Sequence, residues 1–288
     1  MPLNDNLRGA AFMTASMAGF AVEDMFLKAA ANKMPLGQVI LIVGLSGMVF
    51  FGLLSLLRKE PPLPRAFLHR ALIIRSGFEI AGRLFYSLAI ALTPLSITSA
   101  ILQATPLLVV AAAAVLFGET VGWRRWSAVA VGFVGVLIIL RPGLDGFSTL
   151  SLLALAGMVG FAGRDLATRA APKVLSNRQL GLAGFAMLAS AGGILLAFSG
   201  GARMPDLQGL GLLTGTAIFA IIGYHALTSA MRTGEVSFVT PFRYTRLVFA
   251  LILAVLVFGE RPDQWTLFGS ALIVASGIYA LARANRKA

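Results

Sequence analysis

A chain of 288 residues with 58% apolar and 12% charged side chains and a mean hydropathy of +0.85 has too little polar surface to dissolve as a globular protein. Its formal net charge is +12, but the basic residues sit singly or in pairs at the ends of apolar runs, which argues against a nucleic-acid partner. Cysteine is absent, which removes disulfides and thiolate metal sites.

Taken in order, apolar stretches of about 20 residues, the length a bilayer demands, predict ten helices: 9 to 30, 35 to 57, 67 to 92, 95 to 117, 124 to 141, 148 to 170, 178 to 199, 208 to 230, 235 to 258 and 264 to 283. The first resembles a signal peptide after Arg8, but it contains Glu23 and Asp24 and is echoed inside the chain, so it reads as a retained span. Lys59-Glu60-Pro61-Pro62, Thr93-Pro94, Gly118-Glu119-Thr120, Arg141-Pro142-Gly143, Gly200 to Pro205 and Glu260-Arg261-Pro262 punctuate the series. Runs such as Leu107 to Phe117 lack the alternation of a porin-type barrel.

Met17 to Ala30 returns as Met158 to Ala171, offset by 141 residues, with Gly19, Phe20, Ala21 and Asp24 matched by Gly160, Phe161, Ala162 and Asp165. The same offset carries Gly82 onto Gly223, Ser96 onto Ser237, and Phe117-Gly118-Glu119 onto Phe258-Gly259-Glu260. The chain therefore reads as a duplication with units 1–143 and 144–288, five helices each. Five is odd, so the second copy enters the membrane from the opposite side. The predicted fold is an all-α integral membrane protein of two inverted five-helix repeats, an arrangement typical of secondary transporters. Lys and Arg concentrate on the side of the termini, which places both termini in the cytoplasm of an inner membrane.

Ionisable side chains inside spans are costly and mark candidate sites. The third helix sets Arg75, Glu79 and Arg83 at four-residue steps on one face, with Tyr86 a turn beyond. Glu79 can pair with either arginine, or the face lines a wet cavity and offers guanidinium groups to a carboxylate. The fourth helix adds Gln103, the eighth Tyr224 and His225, and the ninth Arg243, Tyr244 and Arg246. Asp24 with Lys28 and Asp165 with Arg169 are four-residue pairs, read as structural clamps or gate latches. Glu23 stands where the second copy has Arg164, and the two are candidates to pair across the halves. Pro106 and Pro241 predict bends, while Gly132, Gly135, Gly269 and Gly277 predict close packing.

Two histidines, no HExxH and no phosphate-binding glycine loop leave metal or nucleotide chemistry no visible home, so neither a cofactor nor an enzymatic activity is expected. The segments Tyr86 to Pro94, Pro106, and Leu116-Phe117-Gly118-Glu119, repeated as Tyr224 to Ala230 and Val257-Phe258-Gly259-Glu260, resemble the EamA domain of the drug/metabolite transporter superfamily. The resemblance implies a bacterial inner-membrane carrier of small metabolites with a central cavity between helices one to four and six to nine. Amino-acid exporters are the nearest match, with riboflavin and carboxylate carriers as alternatives. One departure from symmetry is Leu247 at the position equivalent to Pro106.

Overall fold

Apolar helices that cannot meet water pack on one another through small residues and present their larger aliphatic side chains to lipid. The structure, a computed structural model, follows that logic and describes residues 3–62, 64–118, 122–141, 148–170, 175–233 and 236–285. Its helices are α1 (Leu3–Ala31), α2 (Leu36–Leu57), α3 (Arg70–Leu92), α4 (Leu95–Leu102), α5 (Thr105–Phe117), α6 (Trp123–Leu140), α7 (Ser151–Ala170), α8 (Asn177–Phe198), α9 (Leu207–Thr233), α10 (Val236–Val239), α11 (Thr245–Phe258) and α12 (Gln264–Asn285).

These make ten passes, because α4 with α5, and α10 with α11, are two passes broken in the middle. Among the described residues, six helices are long and apolar enough to cross a membrane, and a shorter apolar one covers Trp126–Leu140. The charged α3 and α7, 23 and 20 residues long, and the 22-residue α12 complete the ten passes.

Contacts follow the duplication. α1 packs on α9 and α3 on α7, which are equivalent pairs under the 141-residue offset, while α2 pairs with α8 and α6 with α12. The repeated glycines meet one another. A Cβ on Gly19 would lie 3.2 Å from the Cα of Gly223, and one on Gly160 would lie 2.5 Å from the Cα of Gly82. Each crossing brings two backbones together where a side chain does not fit. The outer surface carries Val49, Leu53, Leu57, Val115, Leu116 and Leu256, all exposed, as lipid requires.

Both broken passes owe their breaks to local sequence. The first interrupts at Gln103 and Ala104, and Pro106 then sits in the first turn of α5, where a missing N–H costs nothing. In the second, a 3-10 turn over Thr240–Tyr244 holds Pro241 in its first turn. Different prolines thus break the two passes at closely matching depth, although Leu247 replaces the proline in the second copy.

The face at which the chain begins is tied by the segment after α2. Arg178 at the start of α8 donates from Nε to Glu60 Oε2 at 3.1 Å and bonds Oε1 through Nη2. Ser176 Oγ donates to Oε2 at 2.7 Å, and Gln179 Nε2 donates to the carbonyl of Pro61 at 2.8 Å. Hydrogen bonds from Arg178 and then Ser176 pull the Glu60 carboxyl from 4.5 down to about 2. A group whose folded value is depressed stabilises above its unfolded value and loses that contribution as pH falls. The native fold is therefore expected to weaken as pH drops from 4.5 towards about 2, and Glu60→Gln to lack that component. Unfolding in detergent across this window, followed for both proteins, checks it.

Candidate functional site

Four elements build the centre. α1 supplies Glu23 and Asp24, α3 supplies Glu79, Arg83, Tyr86 and Ser87, α7 supplies Arg164 and Asp165, and α11 supplies Arg246. Because side chains four apart share a helical face, Glu79, Arg83 and Tyr86 all turn inward from α3.

Two polar clusters result. In the first, the Tyr86 hydroxyl donates to Asp24 Oδ2 at 3.0 Å, and Arg246 Nη2 donates to the same oxygen at 2.6 Å. The Arg246 guanidinium lies over the rings of Phe20 and Tyr86, 5.3 and 5.6 Å from their centroids, so its charge faces one carboxylate and two π clouds. In the second, Glu79 pairs with Arg75 at 2.9 Å and Arg164 at 3.8 Å, and Arg75 Nε donates to Thr168 Oγ1 at 3.0 Å. Arg164 also donates to Asp165 at 2.7 and 2.9 Å.

Beside the first cluster lies a cavity lined by Glu23, Asp24, Arg83, Tyr86, Ser87 and Thr216 on its polar side and by Leu27, Ile40, Val43 and Leu188 on its apolar side. Space for water centres in it is about 20 Å³, room for a water molecule and far short of the roughly 300 Å³ a small-molecule pocket needs. The bundle is closed around a polar centre. Arg83 reaches this cavity with its guanidinium 5.8 Å from the Phe161 ring centroid. Its Nε is buried without a hydrogen-bond acceptor, and among the described residues neither Arg83 nor Glu23 makes an ion-pair contact.

The opposite face of the bundle is sealed by Glu260. Its carboxylate accepts from the Leu95 and Ser96 backbone N–H groups at 2.7 and 3.0 Å and from Ser96 Oγ at 2.7 Å, capping the N-terminus of α4 from the other repeat. Lys28 lies 3.8 Å from Glu260 and donates to the carbonyls of Ile90 and Thr93 at the end of α3.

Several expectations from the sequence change here. Lys28 does not clamp Asp24; across-helix partners at the end of α3 take it instead, and Arg246 takes Asp24. Glu23 and Arg164 do not pair, since Arg164 is spent on Asp165 and Glu79. His225 is exposed on the outer surface: one residue past Tyr224, it turns about 100° away from the face that α9 gives to α1. Tyr244 is buried, yet its hydroxyl packs against Gly277 of α12, where a Cβ would lie within 1.7 Å, so it serves a helix contact outside the cavity.

Gln103 spends its amide on the Arg243 carbonyl at 3.1 Å, stitching the two broken passes together. Arg243 is half-buried beside that joint. Tyr224 stands edge-on to Phe51 and Phe185, at 5.4 and 5.9 Å, close to Glu79 around Gly184. The Arg169 side chain and Glu119 lie outside the described residues.

The lining residues Ser87 and Thr216 gave no signal in the sequence beyond a hydroxyl in an apolar run. Glu260 gave one, the repeated Phe-Gly-Glu, without showing its target.

An all-helical bundle of two repeats around a charged, buried centre has the architecture of a membrane carrier of small molecules. The chain belongs to the EamA-like transporter family, whose model matches residues 7–141 and again 148–282. Among curated relatives it is similar to a riboflavin transporter of Rhizobium johnstonii, 25% identical over 84% of this chain and 78% of that one. It is similar to an S-adenosylmethionine uptake transporter of Rickettsia prowazekii, 22% identical over 97% and 94%. A pseudopaline exporter of Pseudomonas aeruginosa is 25% identical over 93% of each chain. None of these names is an amino-acid exporter, so they favour the wider metabolite reading over the narrower one. A solved crystal structure superposes with a TM-score of 0.64 at 18% identity, covering 92% of this chain and 97% of that one, a likeness of fold.

Proposed function

We propose that the chain exports small metabolites bearing an α-amino carboxylate, free amino acids being the simplest, by alternating access around the cavity between α1, α3 and α9. The observation that carries this is the cavity wall: an Arg83 guanidinium and a Glu23 carboxylate face one enclosed space, and neither makes an ion pair among the described residues. A carboxylate on Arg83 and an ammonium on Glu23 satisfy both charges at once, and Leu27, Ile40, Val43 and Leu188 accept an apolar substituent. S-Adenosylmethionine, in the name of one relative, carries such a group, whereas riboflavin is uncharged.

The orientation expected of the basic residues puts the termini in the cytoplasm and the Glu260 seal on the outer side, and export, as in the name of the pseudopaline relative, is the direction assigned in this reading. The second reading, a riboflavin-like planar solute, is favoured by the aromatic trio of stacked Phe51 and Phe185 with Tyr224 edge-on to both, and by the names of relatives.

Purified protein in liposomes, given labelled phenylalanine with unlabelled competitors, tests the reading. Saturable uptake, countertransport, and competition by amino acids and S-adenosylmethionine are expected. Competition by riboflavin alone transfers the assignment to the second reading, and flux without saturation makes the protein a channel.

A further inference from the structure

The carboxylates at the centre of the bundle are not alike. Asp24 is held by Arg246 and Tyr86, Glu79 by Arg75 and Arg164, and Asp165 by Arg164. Glu23, 6% exposed, has no such partner among the described residues and opens on the cavity.

The groups around Glu23 come from each packed element. α1 contributes Asp24, already neutralised. α3 contributes Arg83 and Tyr86, and α11 contributes Arg246, which is committed to Asp24. α2, α8 and α9 bring only Ile40, Val43, Leu188 and Thr216 to the wall, none of them ionisable. Of the nearby cations only Arg83 is uncommitted, and it stands off without an ion-pair contact. A buried carboxylate so placed is expensive as a bare anion. Either a cation or a proton removes that cost, and the cavity admits one at a time.

From this we infer that Glu23 is the coupling site of a proton/solute exchanger, holding the substrate's ammonium group on one leg of the cycle and a proton on the other. When the solute departs to the outer water, a hydronium ion there gives its proton to a Glu23 carboxylate oxygen, one O–H bond forming as another breaks, and the neutral site returns inward. Proton release on the inner side then readies the carboxylate for the next ammonium. Proton flow down its gradient is thereby tied to solute flow outward. This rests on the reading of the central cavity given above and adds the ion that drives it.

Two measurements on the full chain test it. The first needs no substrate: dicyclohexylcarbodiimide reacts with a protonated carboxyl in an apolar setting, its nitrogen taking the proton as the carboxylate oxygen adds to its central carbon. Peptide mapping should find the adduct on Glu23, falling several-fold as pH is raised, with Asp24 and Glu79 unlabelled because guanidinium groups cover their oxygens. The second is accumulation of phenylalanine in liposomes driven by an imposed pH gradient, which Glu23→Gln should remove along with the adduct and Glu23→Asp should partly keep.

A single symmetrical elution peak and an unchanged melting temperature guard against misfolding of either variant. No adduct on Glu23 at any pH, or gradient-driven accumulation that survives in Glu23→Gln, overturns the inference. An adduct on Glu23 with no amino-acid-bearing solute moved supports the proton site and removes the substrate reading instead.

Discussion

Arg83→Ala is expected to lower saturable uptake by on the order of 100-fold, with the protein still folded in detergent, because removing one partner of a desolvated charge pair costs about 2–5 kcal/mol. Arg83 is the appropriate cation to test. Arg75 is tied to Glu79 and Thr168, Arg164 to Asp165 and Glu79, and Arg246 to Asp24, so deleting any of them strands a buried acid and disturbs the fold itself. Arg83 makes no ion-pair contact with an acid among the described residues: it lines the cavity near Phe161 and its Nε lacks an acceptor. Loss of function should then come without loss of stability. Arg83→Lys should recover part of the activity, since a point charge remains, but not the two-pronged grip of a guanidinium on a carboxylate. Uptake at varied substrate concentration separates the outcomes, a raised KM marking weakened binding. Wild-type rates in Arg83→Ala would take this residue out of the site.

The ten passes and their duplication were legible because each rests on a one-dimensional signal: the length of an apolar run, or identity at a fixed offset. Gly19, Gly82, Gly160 and Gly223 show how far that reaches, for the repeat marked all four and the structure brings them together in pairs. Partners of the charged residues were not legible by the same route. A spacing of four suggested Lys28 for Asp24, but within the membrane the deciding term is which neighbouring helix offers a desolvated guanidinium, and α11, some 220 residues away in the chain, supplies Arg246. His225 and Tyr244 failed for a related reason: polarity marks a residue as costly in lipid without saying towards which side its helix turns it. Arg83, Tyr86 and Glu79 do turn inward together, because three residues on one face give an orientation that a lone residue cannot, although Glu79 is spent on Arg75 and Arg164 beside the cavity.

Gly160→Val should cost about 3 kcal/mol or more of stability, the upper range for forcing atoms into a filled interface. The new Cβ would lie 2.5 Å from both the Cα and the N of Gly82 and 3.1 Å from the Phe78 carbonyl, all backbone atoms that no rotamer change can withdraw. α3 and α7 would have to separate, and with them the Arg75–Thr168 and Glu79–Arg164 contacts that join the repeats. The equivalent change at the other crossing, Gly19→Val, meets Gly223 Cα at 3.2 Å and should cost less. At Gly211 nothing lies within 4 Å of a Cβ, so Gly211→Ala should be neutral or stabilise by up to about 1 kcal/mol through helix propensity. Melting of the three variants in one detergent, read by the loss of the monodisperse peak, should rank Gly160→Val below Gly19→Val below Gly211→Ala. Because each crossing joins one repeat to the other, that order also measures how unequally the two copies are bound at positions the duplication once made identical. Equal melting of the two valine variants would mean that the 2.5 and 3.2 Å approaches do not differ in the membrane protein as it stands in solution.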